Sequence, residues 1–262
     1  MTATFSPPLL AQISGLDDAL KHQGYVVLDA PMVAQALGCD LAQLNAFNPL
    51  WNDLPSDTYL KDGGHYRRRR HSTFVVDGLN VVQAPHRPHW QPVEYNALHG
   101  GMLRHFEPML PEMVAGVVDS SQSQNTWQQL LVWLGEVASA RKGVQPWFVE
   151  AHQFRIDTSD GIGRPTPEGA HRDGVDFVAV FLVNRVGVKG GETRVFDAAG
   201  PAGQRFTLTQ SWSLLLLDDA RVIHESTPIQ PILPENQGGY RDTLVVTLRS
   251  GSFQGEGQGE SV

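Results

Sequence analysis

A histidine and an aspartate lie two residues apart in EGAHRDGVDF, directly before a run of apolar residues. Side chains two apart on an extended chain point to the same side, so His171 and Asp173 can face one point. A third ligand must come from another strand, and His224 in RVIHES lies on a β-like run downstream. Two histidines and one carboxylate leave three positions of a metal ion open, as in non-haem iron sites. The spacing therefore indicates a metal site formed by His171, Asp173 and His224.

The same residues have a simpler interpretation. A His-x-Asp tripeptide arises often by chance in 262 residues, and motif matches carry a high rate of false positives. A histidine beside a strand is commonly a hydrogen-bonded surface group. On this interpretation His171 and Asp173 are polar residues at the mouth of a strand, and they hold no metal.

An arginine and a threonine two residues apart occur in GGYRDTLVVTLRS. If 2-oxoglutarate chelates the metal through its keto-acid end, its far carboxylate is buried and needs a cation and a hydroxyl. Arg241 and Thr243 share one face of this predicted strand and supply both groups. Alternatively, Arg241 pairs only with Asp242 or solvent at the strand end.

Together, HRD, IHE and RDT resemble the His-x-Asp, distal His and Arg-x-Thr pattern of the Fe(II)/2-oxoglutarate-dependent dioxygenases. The resemblance is closer to the bacterial family that includes the free L-isoleucine hydroxylases and relatives linked to biofilm and stress. It extends over roughly residues 50–250, and PTPEGxHRDG is a specific motif. The matching segments are GGHYRRRR, EAHQFRI, PTPEGAHRDGVDFV, RVGVKGGET and YRDTLVVTL.

The resemblance implies a double-stranded β-helix (jelly-roll) core that uses Fe(II), O2 and 2-oxoglutarate as cosubstrate. The implied reaction is oxidative decarboxylation of 2-oxoglutarate to succinate, coupled to hydroxylation of an unactivated C–H bond in a free aliphatic L-amino acid. It makes His171, Asp173 and His224 the catalytic metal ligands. The interval from His224 to Arg241 is longer than the wider superfamily commonly shows, so Arg249 is a second candidate for the cosubstrate cation.

Substrate-binding candidates come from two further segments. HYRRRRHS is the densest charge in the chain, and such a run is commonly a solvated face. If it enters a strand, Arg67 and Arg69 share one side and can hold an amino-acid carboxylate, with Tyr66 adding a hydroxyl. Gln153 and Arg155 share a face of the first core strand and either line the cavity or, for Arg155, pair with Asp157.

The periodicity predicts a mainly β fold with helices (α+β), in one domain over residues 1–251. Residues 1–145 are predicted to form a mainly helical support layer with one hairpin at Asp77-Gly78, and residues 146–251 are predicted to form the jelly-roll core. The strongest predicted helix covers residues 125–143, with Asn125 or Thr126 as its cap and Gly143 at its end. A weaker helix is predicted over 94–110, and residues 252–262 as a disordered tail.

The bulk composition excludes several classes of protein. A formal charge of −8 disfavours nucleic-acid binding, and a single cysteine excludes an internal disulfide. The longest apolar run is too short for a membrane helix, and no signal peptide is recognised, so a cytoplasmic protein is expected. The expected partner is a small molecule. Two alternatives stay open: a hydroxylase of protein or peptide side chains, and a non-catalytic jelly roll that binds metal or ligand in a stress response.

Overall fold

The computed structural model describes residues 6–115, 125–233 and 238–256. The first half contains, in chain order, α1 (Leu16–Gln23), β1 (Tyr25–Leu28), α2 (Ala30–Leu37), α3 (Leu41–Asn45), β2 (Arg67–Asp77), β3 (Asn80–Gln83), α4 (Pro111–Ala115) and α5 (Thr126–Lys142). The second half contains β4 (Trp147–Asp157), β5 (Phe177–Val186), β6 (Val188–Gly190), β7 (Thr193–Asp197), β8 (Gly203–Phe206), β9 (Leu214–Asp218), β10 (Val222–Ser226), β11 (Ile229–Pro231) and β12 (Tyr240–Ser250). Short 3₁₀ helices cover Ile13–Gly15 and Asn48–Trp51.

A large antiparallel sheet forms the centre of the molecule. Its seven strands run in the order β1-β9-β5-β12-β4-β2-β3. A three-stranded sheet, β10-β7-β8, and a two-stranded sheet, β11-β6, form smaller units. A cavity is lined by residues of the large sheet together with Thr193 of β7 and His224 of β10. The fold is the predicted jelly roll, mostly β with supporting helices.

The two faces of the large sheet have different roles. Leu244, Val246 and Leu248 of β12 lie on the face that packs with the helices in the main apolar core. The alternating residues Arg241 and Thr243 face the cavity. The register continues this division across the neighbouring strands, because Arg241 pairs with Ile156, which in turn pairs with Arg67. Strand alternation thus places one row of side chains in the core and the next in the cavity.

Helix α5 covers the core face of the large sheet, and its ends are those predicted from the sequence. The Asn125 side chain accepts the N–H of Gln128 at 2.8 Å, and the Gln128 side chain accepts the N–H of Asn125 at 3.3 Å. This reciprocal pair is a capping box, and Gly143 follows the last turn. None of the described helices is long and apolar enough to span a membrane.

The predicted helix over residues 94–110 is wrong, because these residues form turns and a bridge. Asn96 is the physical reason. Its side-chain oxygen accepts the N–H groups of Leu98 and His99 at 3.2 and 2.7 Å, which satisfies locally the donors that a helix would use. Gly101 then adopts a positive φ of 70°.

Two further expectations about organisation need correction. Strands β1 and β2 come from the first half but belong to the large sheet, so the β core does not begin at residue 146. Residues 252–256 of the predicted disordered tail are packed against the core: Phe253 is buried and contacts Phe148 edge-on, with ring centroids 5.0 Å apart. The rest of that tail, 257–262, lies outside the described residues.

Candidate active site

Three side chains from two parts of the chain converge in the cavity. His171 and Asp173 lie in the segment before β5, and His224 lies on β10. His171 Nε2 is 3.8 Å from Asp173 Oδ1, and His224 Nε2 is 3.6 Å from Asp173 Oδ2. The three candidate ligand atoms lie within 4.8 Å of one another. A single metal ion can therefore contact all three.

Backbone hydrogen bonds hold the two histidines side by side. Each N–H donates to the other residue's carbonyl, at 3.0 Å from His171 and 2.9 Å from His224. His171 Nδ1 lies 2.9 Å from the carbonyl oxygen of Gly169, so Nδ1 carries the proton and Nε2 presents its lone pair. Burial lowers the pKa of His224 to about 3, which keeps this imidazole in the neutral form that a metal requires.

The charge around His171 is negative. Burial opposes its protonation, but the carboxylates of Asp173 and Glu168 raise the pKa of His171 above its ordinary value. Burial also raises the pKa of Asp173, although the nearby His171 acts in the opposite direction. A cation bound between these groups would stabilise the ionised carboxylate, so the local electrostatics favour a metal ion.

Asp219 fixes the loop that carries Asp173. Its carboxylate accepts the N–H groups of Asp173, Gly174 and Val175 at 3.0, 2.8 and 3.2 Å. Gly174 has a φ of 76°, and a Cβ at this position would lie 2.3 Å from the ring of Tyr95. Only glycine fits this conformation and this space.

Two glutamines contact Asp173 from other segments. Gln91 Nε2 donates to Asp173 Oδ1 at 3.1 Å, and Gln91 Oε1 accepts from Asn96 Nδ2 at 3.0 Å. Gln254 Nε2 donates to the carbonyl oxygens of Asp173 and Gly174 at 3.0 and 2.8 Å. The orientation of the carboxylate is therefore set before any ligand binds.

Arg241 and Thr243 lie in the same cavity as the three candidate ligands. Both are buried on β12 and line the cavity. Burial and the nearby Arg185 lower the pKa of Arg241 to about 10, so its guanidinium is still a cation at neutral pH. A buried cation two residues from a hydroxyl on one face fits a carboxylate.

Arg67 and Arg69 also reach the cavity, which encloses about 150 Å³. Arg67 Nε donates to Asp57 Oδ2 at 2.7 Å. The Arg69 guanidinium lies between the rings of Phe106 and Phe154, 3.7 and 4.4 Å from their centroids. Burial alone would raise the pKa of Asp57, but the two arginines lower it. The arginines are thus held in fixed positions by a buried anion and two aromatic rings.

A model of the 2OG-Fe dioxygenase family matches residues 48–247 of the sequence. The chain belongs to this family. Membership implies Fe(II), 2-oxoglutarate and O2 as the reacting groups, so the protein is a 2-oxoglutarate-dependent dioxygenase. No curated protein sequence is significantly similar to it.

Solved structures agree with this fold. The crystal structure of a bsmA homologue from Methylobium petroleophilum PM1 is 49% identical, with a TM-score of 0.86, over 97% of this chain and 99% of that chain. IDO from Bacillus thuringiensis is 16% identical, with a TM-score of 0.72, over 92% and 100%. The Fe(II)/α-ketoglutarate-dependent dioxygenase TqaL is 22% identical, with a TM-score of 0.66, over 93% and 89%. The last two show a likeness of fold alone.

The residues of the dioxygenase fit the groups that the family implies. His171 and His224 each offer an Nε2 atom and Asp173 offers a carboxylate oxygen, which is the donor set of a non-haem Fe(II) centre. The Nδ1 atom of His224 is buried without a hydrogen-bond partner among the described residues, and its Nε2 atom lies 3.6 Å from Asp173 Oδ2.

Tyr66, a substrate-binding candidate, does not line the cavity, and neither does Arg155, for which an ion pair was the open alternative. The Tyr66 hydroxyl donates to Asp62 Oδ2 at 2.7 Å. Arg155 donates through Nε and Nη2 to the two carboxylate oxygens of Asp242, both at 2.7 Å. The Tyr66 hydroxyl and the Arg155 guanidinium are therefore bound to residues outside the cavity and do not face a substrate there.

Gln153 lies on the same side of β4 as Arg155 and also misses the cavity. Its amide donates to the carbonyl oxygen of Leu50 at 3.4 Å. The alternate residues of the strand, His152 and Phe154, line the cavity instead. Alternation predicted the two faces of β4 correctly, but it did not show which face points inward.

Arg249, the second candidate for the cosubstrate cation, serves a different purpose. Its Nη1 donates to the hydroxyl of Ser252 at 2.9 Å and to the carbonyl oxygen of Phe253 at 3.4 Å. It does not line the cavity. Glu192, which also does not line the cavity, pairs with Arg194 at 3.0 Å.

Four polar residues of the cavity that the sequence did not reveal come from residues 91–104. They are Gln91, Asn96, His99 and Arg104. This segment has no strand periodicity, so nothing in the sequence placed it over the metal ligands. Glu168 also lines the cavity. Its position in PTPEGAHRDG, three residues before His171, was a signal that could have found it.

A second group of possible ligands lies beside the cavity: His71, His89, Glu150 and His152. Arg69 Nη2 lies 2.8 Å from His152 Nδ1. Because a guanidinium only donates hydrogen bonds, His152 Nδ1 is the acceptor. The proton of neutral His152 is therefore on Nε2, and a protonated nitrogen cannot bind a metal. Glu150 Oε2 lies 3.1 Å from His71 Nε2 and 2.6 Å from His89 Nδ1. We therefore interpret the group as a hydrogen-bonded network around a buried carboxylate.

Proposed function

We propose that this dioxygenase hydroxylates an unactivated C–H bond of a free aliphatic L-amino acid. One observation carries the proposal: the three candidate metal ligands and Arg241 share one cavity with Arg67 and Arg69. The cavity thus holds one buried cation for a cosubstrate carboxylate and further cations for a second carboxylate. The cavity volume of about 150 Å³ suits a small molecule.

His171, Asp173 and His224 would hold Fe(II) on one face, and Arg241 with Thr243 would hold the far carboxylate of 2-oxoglutarate. When bound, the iron supplies oxygen activation, in which oxidative decarboxylation of 2-oxoglutarate to succinate and CO2 accompanies insertion of one oxygen atom into the substrate C–H bond. The protein contributes orientation: these five side chains fix where the two molecules meet.

Of the two candidate arginines, Arg67 is the one with a terminal guanidinium nitrogen available for the substrate carboxylate. Arg69 is already engaged by two rings and His152, whereas Arg67 keeps a buried Nη2 without a partner among the described residues. Apolar side chains complete the lining, among them Val175, Val180, Leu215 and Val245. They suit an aliphatic side chain and exclude water from the reacting centre.

The first experiment is anaerobic titration of the metal-free protein with Fe(II) and 2-oxoglutarate. The chelate of both has a weak visible charge-transfer band. We expect the band with the unmodified protein and its loss in His171→Ala and in Asp173→Ala, because each substitution removes one of three ligands. The matched control is His22→Ala, which replaces an exposed histidine and should leave the band intact.

Succinate release, measured across a panel of L-amino acids, then tests the substrate class. Turnover above the uncoupled background with an aliphatic amino acid supports the proposal. A folded, metal-loaded protein without the band would favour a non-catalytic jelly roll. A normal band with no response to any free amino acid would point to a peptide side chain instead.

A further inference from the structure

Buried polar atoms without partners mark a second binding region in the cavity. Glu168 Oε2, Arg67 Nη2 and Arg104 Nε are inaccessible to solvent and have no hydrogen-bond partner among the described residues. All three residues line the cavity. A buried polar group left unpaired costs free energy, and each such group in a folded protein requires an explanation. One ligand that contacts all three would provide it.

Glu168 is held close to the candidate metal ligands but is not one of them. Its Oε1 lies 3.6 Å from His171 Nε2, and its side chain is 13% exposed. The turn that carries it is closed by the N–H of Gly169, which donates to the carbonyl oxygen of Thr166 at 3.0 Å. One carboxylate oxygen is therefore near His171 while the other, Oε2, has a free accepting position.

The two arginines offer donors from different segments. Arg67 projects from β2 with Nε bound to Asp57, which leaves Nη2 free. Arg104 pairs with His89 through two backbone hydrogen bonds of 2.9 Å, and its Nη2 lies 3.5 Å from Gln91 Oε1. Burial and Arg67 lower the pKa of Arg104 to about 10, and Glu168 acts in the opposite direction, so these three charges are close together.

The balance of charge indicates the net charge of the ligand. Three arginines in this region, Arg67, Arg69 and Arg104, are buried. The carboxylates near them are Asp57, Glu150 and Glu168, whose charges act on the arginines. Asp173 also interacts with Arg104, but a bound metal ion would offset its charge. With positive and negative groups matched in number, a ligand with no net charge fits better than an anion. A ligand that accepts hydrogen bonds from Arg67 and Arg104 and also donates one to Glu168 carries both a negative and a positive group.

We propose that Glu168 accepts hydrogen bonds from the substrate's α-ammonium group while Arg67 and Arg104 donate to its α-carboxylate. The ammonium and carboxylate of an amino acid are attached to one carbon, so they require an acceptor and donors facing the same small volume. This assignment rests on the proposed function and deepens it, because it makes the α-amino group a required feature of the substrate. It also gives a binding role to Arg104 and Glu168, which are held by loops rather than strands.

The test compares amino acids with analogues that lack only the amino group. L-Isoleucine, L-leucine and L-valine, each beside its 2-hydroxy acid, are titrated anaerobically by calorimetry into the protein with Fe(II) and 2-oxoglutarate. We expect the preferred amino acid to bind about 10- to 100-fold more tightly than its 2-hydroxy acid, the usual range for a charged hydrogen bond. Glu168→Gln should remove this preference and leave the 2-hydroxy acid affinity within about twofold.

Glu192→Gln is the matched control, because Glu192 pairs with Arg194 outside the cavity, and it should keep the preference. A preference retained in Glu168→Gln overturns the assignment while the proposed function stands. Equal losses for both ligands, or loss of the charge-transfer band in Glu168→Gln, also overturn it by showing a structural or metal-binding role. If neither ligand type binds the unmodified protein, the proposed function itself fails.

Discussion

Asp173 is the most constrained of the candidate iron ligands. Its backbone N–H is bound by Asp219, its carbonyl oxygen by Gln254 and its carboxylate by Gln91. Such contacts orient a ligand before the metal arrives and reduce the cost of ordering it on binding. The Gln91 amide accepts from Asn96 and lies within 3.5 Å of Arg104. A continuous set of polar contacts therefore links the proposed substrate region to an iron ligand.

Arg241→Gln tests the cosubstrate site at the scale of one residue. Removing a buried cation leaves the far carboxylate of 2-oxoglutarate without its charged partner, so we expect its dissociation constant to rise by about 100-fold or more. The charge-transfer band, titrated with 2-oxoglutarate at fixed Fe(II), measures this constant. Arg249→Gln is the informative comparison, because the Arg249 guanidinium donates to Ser252 and Phe253 and does not line the cavity. If Arg249→Gln has the larger effect, our choice of cation is wrong.

At the scale of elements, the sequence predicted the parts whose signal is local. The hairpin at Asp77-Gly78 forms between β2 and β3, where Gly78 has a φ of 57°. Helix α5 has the predicted cap and end. His171 and Asp173 could be predicted because their spacing alone makes them share a side. These features depend on a few neighbouring residues, so the sequence contains the information.

The rest of the site could not be predicted, because its position depends on tertiary contacts. Residues 91–104 are placed by the side chain of Asn96 and by the bridge between His89 and Arg104. The inward face of β4 depends on which side the helices cover, and periodicity is the same for both faces. Tyr66 and Arg155 have partners, Asp62 and Asp242, that no pattern of residue types identified.

Two glycines in the loop that carries His171 and Asp173 allow a matched test of that element. Gly169 and Gly174 have φ values of 83° and 76°, but only Gly174 is crowded, by the ring of Tyr95. Alanine at either position should cost about 1 kcal/mol in backbone strain, and Gly174→Ala about 1–3 kcal/mol more from overpacking. Urea unfolding measures both costs, and the charge-transfer band should weaken in Gly174→Ala alone.

A second substitution checks the cause. Shortening Tyr95 to alanine in the Gly174→Ala protein removes the contact, so part of the lost stability should return. Equal destabilisation by Gly169→Ala and Gly174→Ala would contradict the steric explanation, because the two positions share their backbone conformation and differ in the space around them.

At the scale of the whole molecule, the large sheet joins both halves of the chain around one set of buried polar groups. Strand β2 supplies Arg67, Arg69 and His71, and its neighbour β4 supplies Glu150 and His152. Although burial alone would raise the pKa of Glu150, His89 and His71 hold it well below its usual range. The sandwich thus forms around ionised carboxylates and neutral histidines, which makes its stability depend on pH.

As the pH falls, the metal-free protein should therefore lose stability at a higher pH than protonation of its carboxylates alone would cause. Burial lowers the pKa of His71, His89, His99 and His152 from 6.5, with His89 at about 3 and His99 at about 4. Below about pH 6.5 the histidines bind protons in the unfolded chain but not in the folded chain. Their contribution to the free energy of unfolding is therefore fully present above that pH and is lost as the pH falls toward 4. Each group contributes up to about 1.4 kcal/mol per pH unit.

Urea unfolding at several pH values, with chelator present, measures the slope. His171 and the carboxyl groups of Asp173, Asp219 and Asp242 oppose the slope, because a raised pKa stabilises the fold at low pH. His224, with a pKa of about 3, adds to the slope. Five histidines with lowered pKa values therefore outnumber the four opposing groups. Glu150 and Asp57 affect the stability only below their ordinary pKa values of 4.5 and 3.8. The contribution of the histidines and that of the carboxylates therefore appear in different pH ranges. His99→Gln should make the slope shallower by about 1.4 kcal/mol per pH unit, the contribution of one proton. A free energy of unfolding that stays constant from about pH 6.5 to 5 would mean that these histidines are protonated in the folded protein, and the buried network would then have a different charge from the one inferred here.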